Sequence, residues 1–323
     1  MLKIKKILII GFGAIGQKHL KNLIKILPKS EFAIFTSQKI KKKNLKIFNL
    51  LKDAKKFRPS LVLICNQATA HIDYAKIFSN MGCHIFIEKP VATNVNHLIK
   101  FIKEIKNKKI TILSGYNLRF EPSLIFFKKI VDSKLLGTIL SVRSEVGQYL
   151  PSWRDKDYSK SVSAHKKTGG GVINELSHDI DILLMLFKKI KVISALNYKV
   201  SNLKINTEDT AHAIFKSNKG KSIFFLNLVM DFYRHDHTRK CTVIGSNSTA
   251  VWNGLERKIT IFKKNNIISN VYKFSNNKEI SYYNEMKYLV RSIQNRKTLI
   301  KNFRNNIQLL KILDEIRRNK CSA

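Results

Sequence analysis

The chain has 323 residues, a formal net charge of +38 at pH 7 and 44% apolar residues, which allows two globular domains. No apolar run reaches the ~18 residues of a membrane helix, and Met1–Ile10 leads straight into a glycine motif without a small-residue cleavage site. Lysines occur in nearly every segment, which indicates a compositional bias toward Lys, Ile and Asn. We expect no specific nucleic-acid partner and no membrane partner.

The cysteines bear on compartment and metal content. The four of them, Cys65, Cys83, Cys241 and Cys321, show neither disulfide nor zinc-ligand spacing. His235 and His237 alternate around Asp236, and no third ligand set accompanies them. The sequence therefore predicts a cytoplasmic protein without a bound metal.

A glycine-rich turn is the first candidate motif. An apolar strand at 3–10 leads into Gly11-Phe-Gly13-Ala14-Ile15-Gly16, and residues with helical spacing follow. In a G-x-G-x-x-G turn the glycines permit a tight turn, close approach of a pyrophosphate, and packing of helix on strand. The phosphate then meets the positive end of the helix. We predict that Gly11, Gly13, Ala14, Ile15 and Gly16 bind a dinucleotide.

The end of the second predicted strand, 31–35, bears on the choice of dinucleotide. An NAD site has an acidic residue about 20 residues after the motif, where it binds the ribose 2′-hydroxyl. Thr36, Ser37 and Lys39 occupy that region here. Small hydroxyls and a cation suit a 2′-phosphate, so the sequence favours NADP and leaves NAD open. The alternative is that Lys39 is one more surface lysine.

A lysine follows another predicted strand. The apolar run 83–87 leads into Glu88-Lys89-Pro90, and ligands bind at the carboxyl ends of strands in open α/β sheets. Lys89 can exchange a proton there, and Pro90 restricts it to extended geometry.

Asn66 follows the strand 61–65, and His71 either faces the cofactor or caps the next helix. Strands and helices alternate, which predicts a parallel sheet, with helices at 47–57, 72–80 and 95–106 and a strand at 110–114.

Four segments resemble the Gfo/Idh/MocA family, named after glucose-fructose oxidoreductase, inositol dehydrogenase and rhizopine catabolism. They are Gly11–Gly16, Cys65–His71, Glu88–Pro90 and Gly115–Phe120, in the order and spacing of the family. The resemblance implies that Lys89 lies beside the nicotinamide and the substrate and that the following proline is cis. We assign Asn66, His71, Glu88 and Lys89 to the cofactor site, and Asn117 and Arg119 to the substrate site.

A triple glycine opens a second polar segment. Gly169–Gly171 precedes a predicted helix over 172–187, in which Asn174 and His178 share a face while Glu175 and Asp181 flank the histidine. A carboxylate near an imidazole raises its pKa and fixes its tautomer. That suits a general base that takes a hydroxyl proton as hydride leaves a carbinol carbon. The alternative is a polar helix face in a solvated groove.

This segment resembles the family's second signature, with His178 on the family's histidine and Asn174 in place of its aspartate. Since asparagine cannot carry charge, Glu175 is an alternative partner for the histidine. Similarity to members associated with bacterial surface-sugar biosynthesis extends over 149–181 and implies a sugar or nucleotide-sugar substrate. We predict that Lys89, His178, Asn174 and Glu175 are catalytic, and that Trp153, Arg154 and Asp179 contact the substrate.

The last part of the chain reads as a largely antiparallel open sheet. Strands are predicted at about 192–200, 209–216, 221–230, 239–245, 248–253, 257–262 and 269–274, with closing helices at 282–296 and 307–318. Helices at 122–134 and 172–187 are expected to cover one face, and a second subunit the other, which predicts a homodimer or homotetramer. We expect an α/β Rossmann domain over 1–119 and an α+β substrate-binding and oligomerisation domain over 120–323.

These features predict an NAD(P)-dependent oxidoreductase acting on a carbinol carbon of a sugar, nucleotide-sugar or cyclic polyol. Asn174 in the aspartate position leaves open a non-catalytic NAD(P)-binding regulator on the same fold. A lyase or hydrolase that uses bound NAD transiently is a third hypothesis.

Overall fold

The computed structural model describes residues 3–40, 45–153, 157–220, 222–264, 267–277 and 279–319. The strands are β1 (Lys6–Ile10), β2 (Glu31–Phe35), β3 (Lys46–Phe48), β4 (Leu61–Ile64), β5 (His84–Glu88), β6 (Ile112–Gly115), β7 (Ile139–Gly147), β8 (Ile190–Tyr198), β9 (Thr210–Lys219), β10 (Ser222–Asp231), β11 (Thr238–Gly245), β12 (Thr249–Asn253), β13 (Lys258–Phe262) and β14 (Ile268–Lys273). The helices are α1 (Ala14–Ile26), α2 (Leu51–Lys56), α3 (His71–Asn80), α4 (Val95–Ile105), α5 (Pro122–Asp132), α6 (Val172–Glu175), α7 (Ser177–Phe187), α8 (Ile280–Gln294), α9 (Ile300–Phe303) and α10 (Asn305–Arg318).

The chain forms two compact units. The first comprises the chain up to Asn117 together with Glu279–Leu310, and the second comprises the remaining described residues. Residues 279–310, which the sequence alone assigns to the second domain, thus belong to the first unit. The physical reason is the apolar face of α8, where Met286, Leu289 and Ile293 join the core around β1 and α1.

The first unit contains a parallel sheet in the order β3-β2-β1-β4-β5-β6. Its central strands are apolar on both faces, and Ile7, Leu8 and Ile9 are fully buried, as is typical of a sheet covered by helices on both sides. The strand order reverses between β1 and β4, and the carboxyl ends there form the usual ligand crevice of doubly wound sheets. The predicted doubly wound domain is confirmed.

The predicted helix over 47–57 is wrong in its first half. Residues Lys46–Phe48 form β3 and pair in parallel with β2, and the helix begins only at Leu51. The backbone N–H of Thr36 donates to the carbonyl of Phe48 at 3.0 Å. Tertiary pairing of this short apolar segment with the sheet edge therefore overrides its helical spacing.

The second unit contains a sheet in the order β14-β13-β12-β11-β7-β10-β9-β8. Its described pairings are antiparallel, except that β10 pairs with β7 in parallel. Helix α5 packs on β12 and β13, and α6 and α7 pack on β8 to β10. The opposite face exposes large apolar side chains such as Leu196, Ile214 and Phe225. The predicted largely antiparallel open sheet is confirmed.

The segment after the triple glycine is not one helix. Helix α6 ends at Glu175 and α7 begins at Ser177, with Leu176 between them at φ −96° and ψ 16°. The break lies between Asn174 and His178, so the spacing of four residues no longer places them on one regular helix face. Among the described residues, none of these helices combines the length and apolar character needed to span a bilayer.

Candidate functional site

The glycine turn between β1 and α1 has the geometry of a phosphate cradle. Gly11 lies at φ +84°, and a Cβ there would lie 2.7 Å from the Cα of Asn66. A Cβ on Gly16 would lie 2.5 Å from the carbonyl oxygen of Gly11, whereas one on Gly13 would meet no atom within 4 Å. No side chain caps the start of α1, and its first turn has no acidic residue. The free N–H groups and the open space at Gly13 fit a dinucleotide diphosphate.

The carboxyl end of β2 carries the side chains predicted to read the ribose. Thr36 is buried, and its Oγ1 accepts from the backbone N–H of Gln38 at 3.2 Å. Ser37 and Lys39 are exposed beyond it. The arrangement leaves a hydroxyl and an ammonium in solvent at this edge.

His71, the first residue of α3, joins the turns after β4 and β5. Its Nδ1 lies 2.9 Å from the carbonyl oxygen of Pro90, and its Nε2 lies 3.1 Å from that of Asn66. The side chain is 1% exposed, and burial lowers its pKa more than the two carbonyl contacts raise it. A neutral ring has one N–H, so one of the two contacts is made without a proton. The contacts of His71 are with backbone.

Glu88 anchors the turn that carries Lys89. The Nε2 of His19 lies 2.6 Å from Oε1 of Glu88, and the backbone N–H of Lys89 donates to Oε2 at 3.0 Å. Gly115 on β6 leaves room for this carboxyl group, since a Cβ there would lie 2.9 Å from it. The Lys89–Pro90 peptide bond is cis, as the family resemblance implies. Lys89 itself is partly exposed.

A second buried acid lies near Glu88. Glu285 on α8 is fully buried, and neither of its carboxyl oxygens has a hydrogen-bond partner among the described residues. Burial, and secondarily the charge of Glu88, raises the pKa of Glu285 well above its usual value. Burial and these two acids also raise the pKa of the Cys65 thiol. In the same unit Asn117, predicted to contact substrate, is buried and donates to Ser281 Oγ at 2.8 Å.

Asn174 in the second unit is held by the glycine loop and by α10. Its amide nitrogen donates to the carbonyls of Gly169 and Gly170 at 3.0 and 3.3 Å, and its Oδ1 accepts from Nη2 of Arg317 at 2.5 Å. Glu208 completes this arrangement, because Oε1 accepts from the backbone N–H of Ile173 at 3.3 Å. The structure brings Asn174 to the loop backbone.

Two arginines hold the aspartates of α7. Arg119 donates to both oxygens of Asp181 at 2.8 and 2.6 Å, and Arg239 donates to both oxygens of Asp179 at 3.2 and 3.1 Å. Asp179 is 1% exposed, and burial raises its pKa despite the guanidinium. His178 directly precedes Asp179 in the chain and is partly exposed, as is Glu175.

Trp153 packs edge-on against Phe232 with ring centroids 5.2 Å apart. Its neighbour Arg154, also predicted to contact substrate, lies outside the described residues. The ring of His235 lies tilted by 37° against that of Tyr149, with centroids 4.3 Å apart, and Nε2 of His237 lies 3.2 Å from Ser152 Oγ. Within the described ranges, no group of three potential ligands is arranged to hold a metal ion.

Sequence reasoning missed several of these side chains. His19 follows the glycine motif on the apolar face of α1, and a histidine among Leu20 and Leu23 was the available signal. Glu285 similarly interrupts the apolar face of α8. Arg239 and Arg317 are distant in sequence from the residues they bind, and no local pattern indicates them.

Two family models match the chain. Residues 5–116 match a model described as oxidoreductase family, NAD-binding Rossmann fold. Residues 126–251 match a model described as GFO/IDH/MocA C-terminal domain. One model lies in each unit, and together they include the glycine turn, Lys89 and His178.

Among curated relatives, an uncharacterised oxidoreductase of Escherichia coli, YhhX, is 28% identical over 155 residues, which are 47% of this chain and 42% of that protein. Inositol 2-dehydrogenase of Rhizobium meliloti is 27% identical over 126 residues, 39% of this chain and 36% of the relative. The match therefore spans less than half the length of either relative.

Solved structures share the fold along almost the whole chain. UDP-N-acetylglucosamine 3-dehydrogenase GnnA from Acidithiobacillus ferrooxidans has a TM-score of 0.76 at 15% identity, over 99% of this chain and 98% of that one. Myo-inositol 2-dehydrogenase from Lactobacillus plantarum has a TM-score of 0.78 at 19% identity, over 98% and 97%. At such identities the likeness concerns the fold.

Proposed function

The chain belongs to the GFO/IDH/MocA oxidoreductase family, and from this premise we propose that it transfers hydride between NAD(P) and a carbinol carbon of a sugar, nucleotide-sugar or cyclic polyol. The observation that carries the proposal is the edge of the Rossmann sheet. It combines an uncapped α1, open space at Gly13 and the Glu88-Lys89-Pro90 turn at the end of β5.

The cofactor residues follow from this edge. The turn at Gly11, Gly13, Ala14, Ile15 and Gly16 would hold the diphosphate, and Asn66, His71 and Glu88 shape the turns beside it. Ser37 and Lys39 would bind a 2′-phosphate, with Thr36 holding the turn, which is why we favour NADP over NAD. Bound NAD(P) supplies or accepts the hydride.

The proton accompanying the hydride is assigned to Lys89 and His178. An ammonium and an imidazole can each exchange a proton with a sugar hydroxyl near neutral pH. Asn174 and Glu175 are proposed to support His178, Asn174 by fixing the glycine loop before it. The contacts of Asn174 with Gly169 and Arg317 favour that supporting role.

We propose a nucleotide-sugar as substrate. Arg119, whose guanidinium is oriented by Asp181, and Arg154 would bind phosphate oxygens. Trp153 would pack against a ring, Asn117 would border the sugar, and Asp179 would act through Arg239. The name of GnnA, a UDP-N-acetylglucosamine 3-dehydrogenase, supports this substrate class for a chain of the same fold. The corresponding process is surface-polysaccharide biosynthesis.

We further propose a homodimer or homotetramer formed through the open face of the second sheet. Ile214 and Phe225 on that face are 43% and 51% exposed, and neighbouring strands add Leu140 and Leu196. A contiguous exposed apolar patch is typical of an interaction surface. We also propose a cytoplasmic location, which the free thiols of Cys65, Cys83 and Cys241 favour.

The proposal is tested with the variants Lys89→Met and His178→Ala. Each is assayed for reduction of NAD⁺ and NADP⁺ by a panel containing myo-inositol and UDP-N-acetylglucosamine, and for NADPH binding by fluorescence. We expect turnover to fall by about 10²-fold or more, with dinucleotide affinity retained. Near-native turnover in both variants would contradict the assignment.

A further inference from the structure

Two buried histidines hold the backbone on either side of Lys89. Glu88 precedes the lysine and contacts His19, while Pro90 follows it and contacts His71. The two rings come from different helices, α1 and α3. Together they fix both neighbours of one side chain.

The contact through Glu88 leaves little freedom. His19 is fully buried, and its Nε2 lies 2.6 Å from Oε1 of Glu88. The other oxygen accepts the backbone N–H of Lys89 at 3.0 Å. The carboxyl group also lies against the backbone of Gly115, at 2.9 Å from where a Cβ would be. Moving His19 therefore releases the carboxylate that anchors Lys89.

The contact through Pro90 uses the other ring nitrogen. Nδ1 of His71 lies 2.9 Å from the Pro90 carbonyl oxygen, and the ring is 1% exposed. Nε2 of the same ring lies 3.1 Å from the carbonyl oxygen of Asn66, in the turn after β4. The side-chain nitrogen that acts on the lysine turn is thus Nε2 in His19 and Nδ1 in His71.

We propose that His19 and His71 are positioning residues that aim Lys89, His19 through the carboxylate of Glu88 and His71 through the carbonyl of Pro90. The inference rests on the proposed function, in which Lys89 exchanges the substrate proton. A displacement of a reacting group by about 1 Å can cost about 10²-fold in rate, so contacts that hold the residues on both sides of Lys89 matter for turnover.

The two roles predict opposite patterns of rescue. A glutamine amide nitrogen reaches about the position of Nε2, and an asparagine amide nitrogen about that of Nδ1. In this proposal the proton of His71 is on Nδ1, so His19→Gln and His71→Asn keep the donor toward the lysine turn. His19→Asn and His71→Gln remove it. If the rings only fill space in the core, the result does not depend on where the substituted side chain places its N–H donor.

The test measures Lys89 in the full-length protein without substrate. Limited acetylation with acetic anhydride is followed by mass spectrometry, and Lys160, whose side chain is 85% exposed, is the internal reference. We expect the ratio of Lys89 to Lys160 labelling to change about two- to tenfold in His19→Asn and His71→Gln, the factor for one hydrogen bond. The ratio should match the unsubstituted protein in His19→Gln and His71→Asn.

Equal ratios in all four variants, or the reverse pattern, would overturn the inference. Thermal melting establishes folding. If His19→Asn does not fold, Glu88→Gln removes one acceptor and must change the ratio. If His71→Gln does not fold, the variant His71→Ala takes its place. Its cavity admits water, and its ratio of Lys89 to Lys160 labelling must differ from that of the unsubstituted protein. Lys89→Met assayed for turnover separates the claims: native turnover there contradicts the catalytic role, while the labelling pattern alone decides the positioning.

Discussion

The Nε2 atom of His19 lies 2.6 Å from Oε1 of Glu88, and this contact joins α1 to the turn Glu88-Lys89-Pro90. Helix α1 has an uncapped N-terminus, where we propose that the diphosphate binds, and carries the ring that contacts Glu88 less than one turn after Gly16. In this proposal one helix contacts the cofactor and also holds the turn of the residue that moves the proton. Substitutions along α1 should separate these two effects.

Gly13 and Gly16 should differ in what their substitution damages. Gly13→Ala places a Cβ in open space, so we expect a folded protein whose NADPH affinity falls about tenfold, because the methyl group occupies the diphosphate path. Gly16→Ala forces a Cβ to 2.5 Å from Gly11 O, and overpacking of this kind costs about 1–3 kcal/mol. Chemical denaturation and fluorescence titration measure the two effects. Native NADPH affinity in Gly13→Ala would contradict the proposal that the diphosphate binds at this glycine turn.

The exposed lysine after β2 should set the preference between dinucleotides. We expect Lys39→Glu to weaken NADPH about tenfold and to leave NADH binding nearly unchanged, since only NADPH carries the 2′-phosphate. Lys55→Glu is the matched control, because it makes the same charge change on an exposed residue of α2. An equal loss of affinity for NADPH and NADH in Lys39→Glu would argue for a general charge effect.

Glu285 should destabilise the protein at neutral and higher pH. Its pKa is raised on folding above the ordinary value of 4.5, so the native state keeps a proton that the unfolded chain releases. Stability that is fully present below that value is lost as pH rises, at about 1.4 kcal/mol for each unit of the shift. We expect Glu285→Gln to be more stable than the unsubstituted protein, with a difference that grows as the pH rises above the ordinary value of 4.5.

Glu104→Gln serves as its control, because Glu104 is 44% exposed and pairs with Lys76 at the surface of the same unit. Urea denaturation across the pH range gives the free energies. A pH-independent effect of Glu285→Gln would mean that Glu285 does not titrate with a raised pKa.

The guanidinium of Arg317 should support the glycine loop. Arg317→Met removes the hydrogen bond to Asn174 Oδ1 and keeps most of the side-chain length. We expect turnover to fall about three- to tenfold, with NADPH affinity unchanged, because the loop before His178 loosens. Arg318→Met, on the exposed side of α10, should have no effect. Parallel loss of NADPH affinity in Arg317→Met would indicate a wider structural change.

Local patterns predict the glycine turn, the parallel sheet and the antiparallel sheet, because each depends on periodicity and turn residues within a few positions. They do not predict which core α8 packs on, since an apolar helix face can pack on either sheet and does not specify its partner. The salt bridge of Arg239 with Asp179 and the hydrogen bond of Arg317 with Asn174 join residues distant in the chain. The predicted helix over 47–57 failed for the same reason, because pairing of β3 with β2 is a tertiary event.

The central claim is net hydride transfer to a sugar carbon. The most direct measurement uses NADPH deuterated at C4 of the nicotinamide with the oxidised form of a candidate nucleotide-sugar, followed by mass spectrometry of the product. We predict one deuterium on the carbinol carbon and loss of that transfer in Lys89→Met. Product formed with deuterium retained on the cofactor would indicate transient use of bound NAD(P), and binding without any product would indicate a regulator; either result would contradict the account.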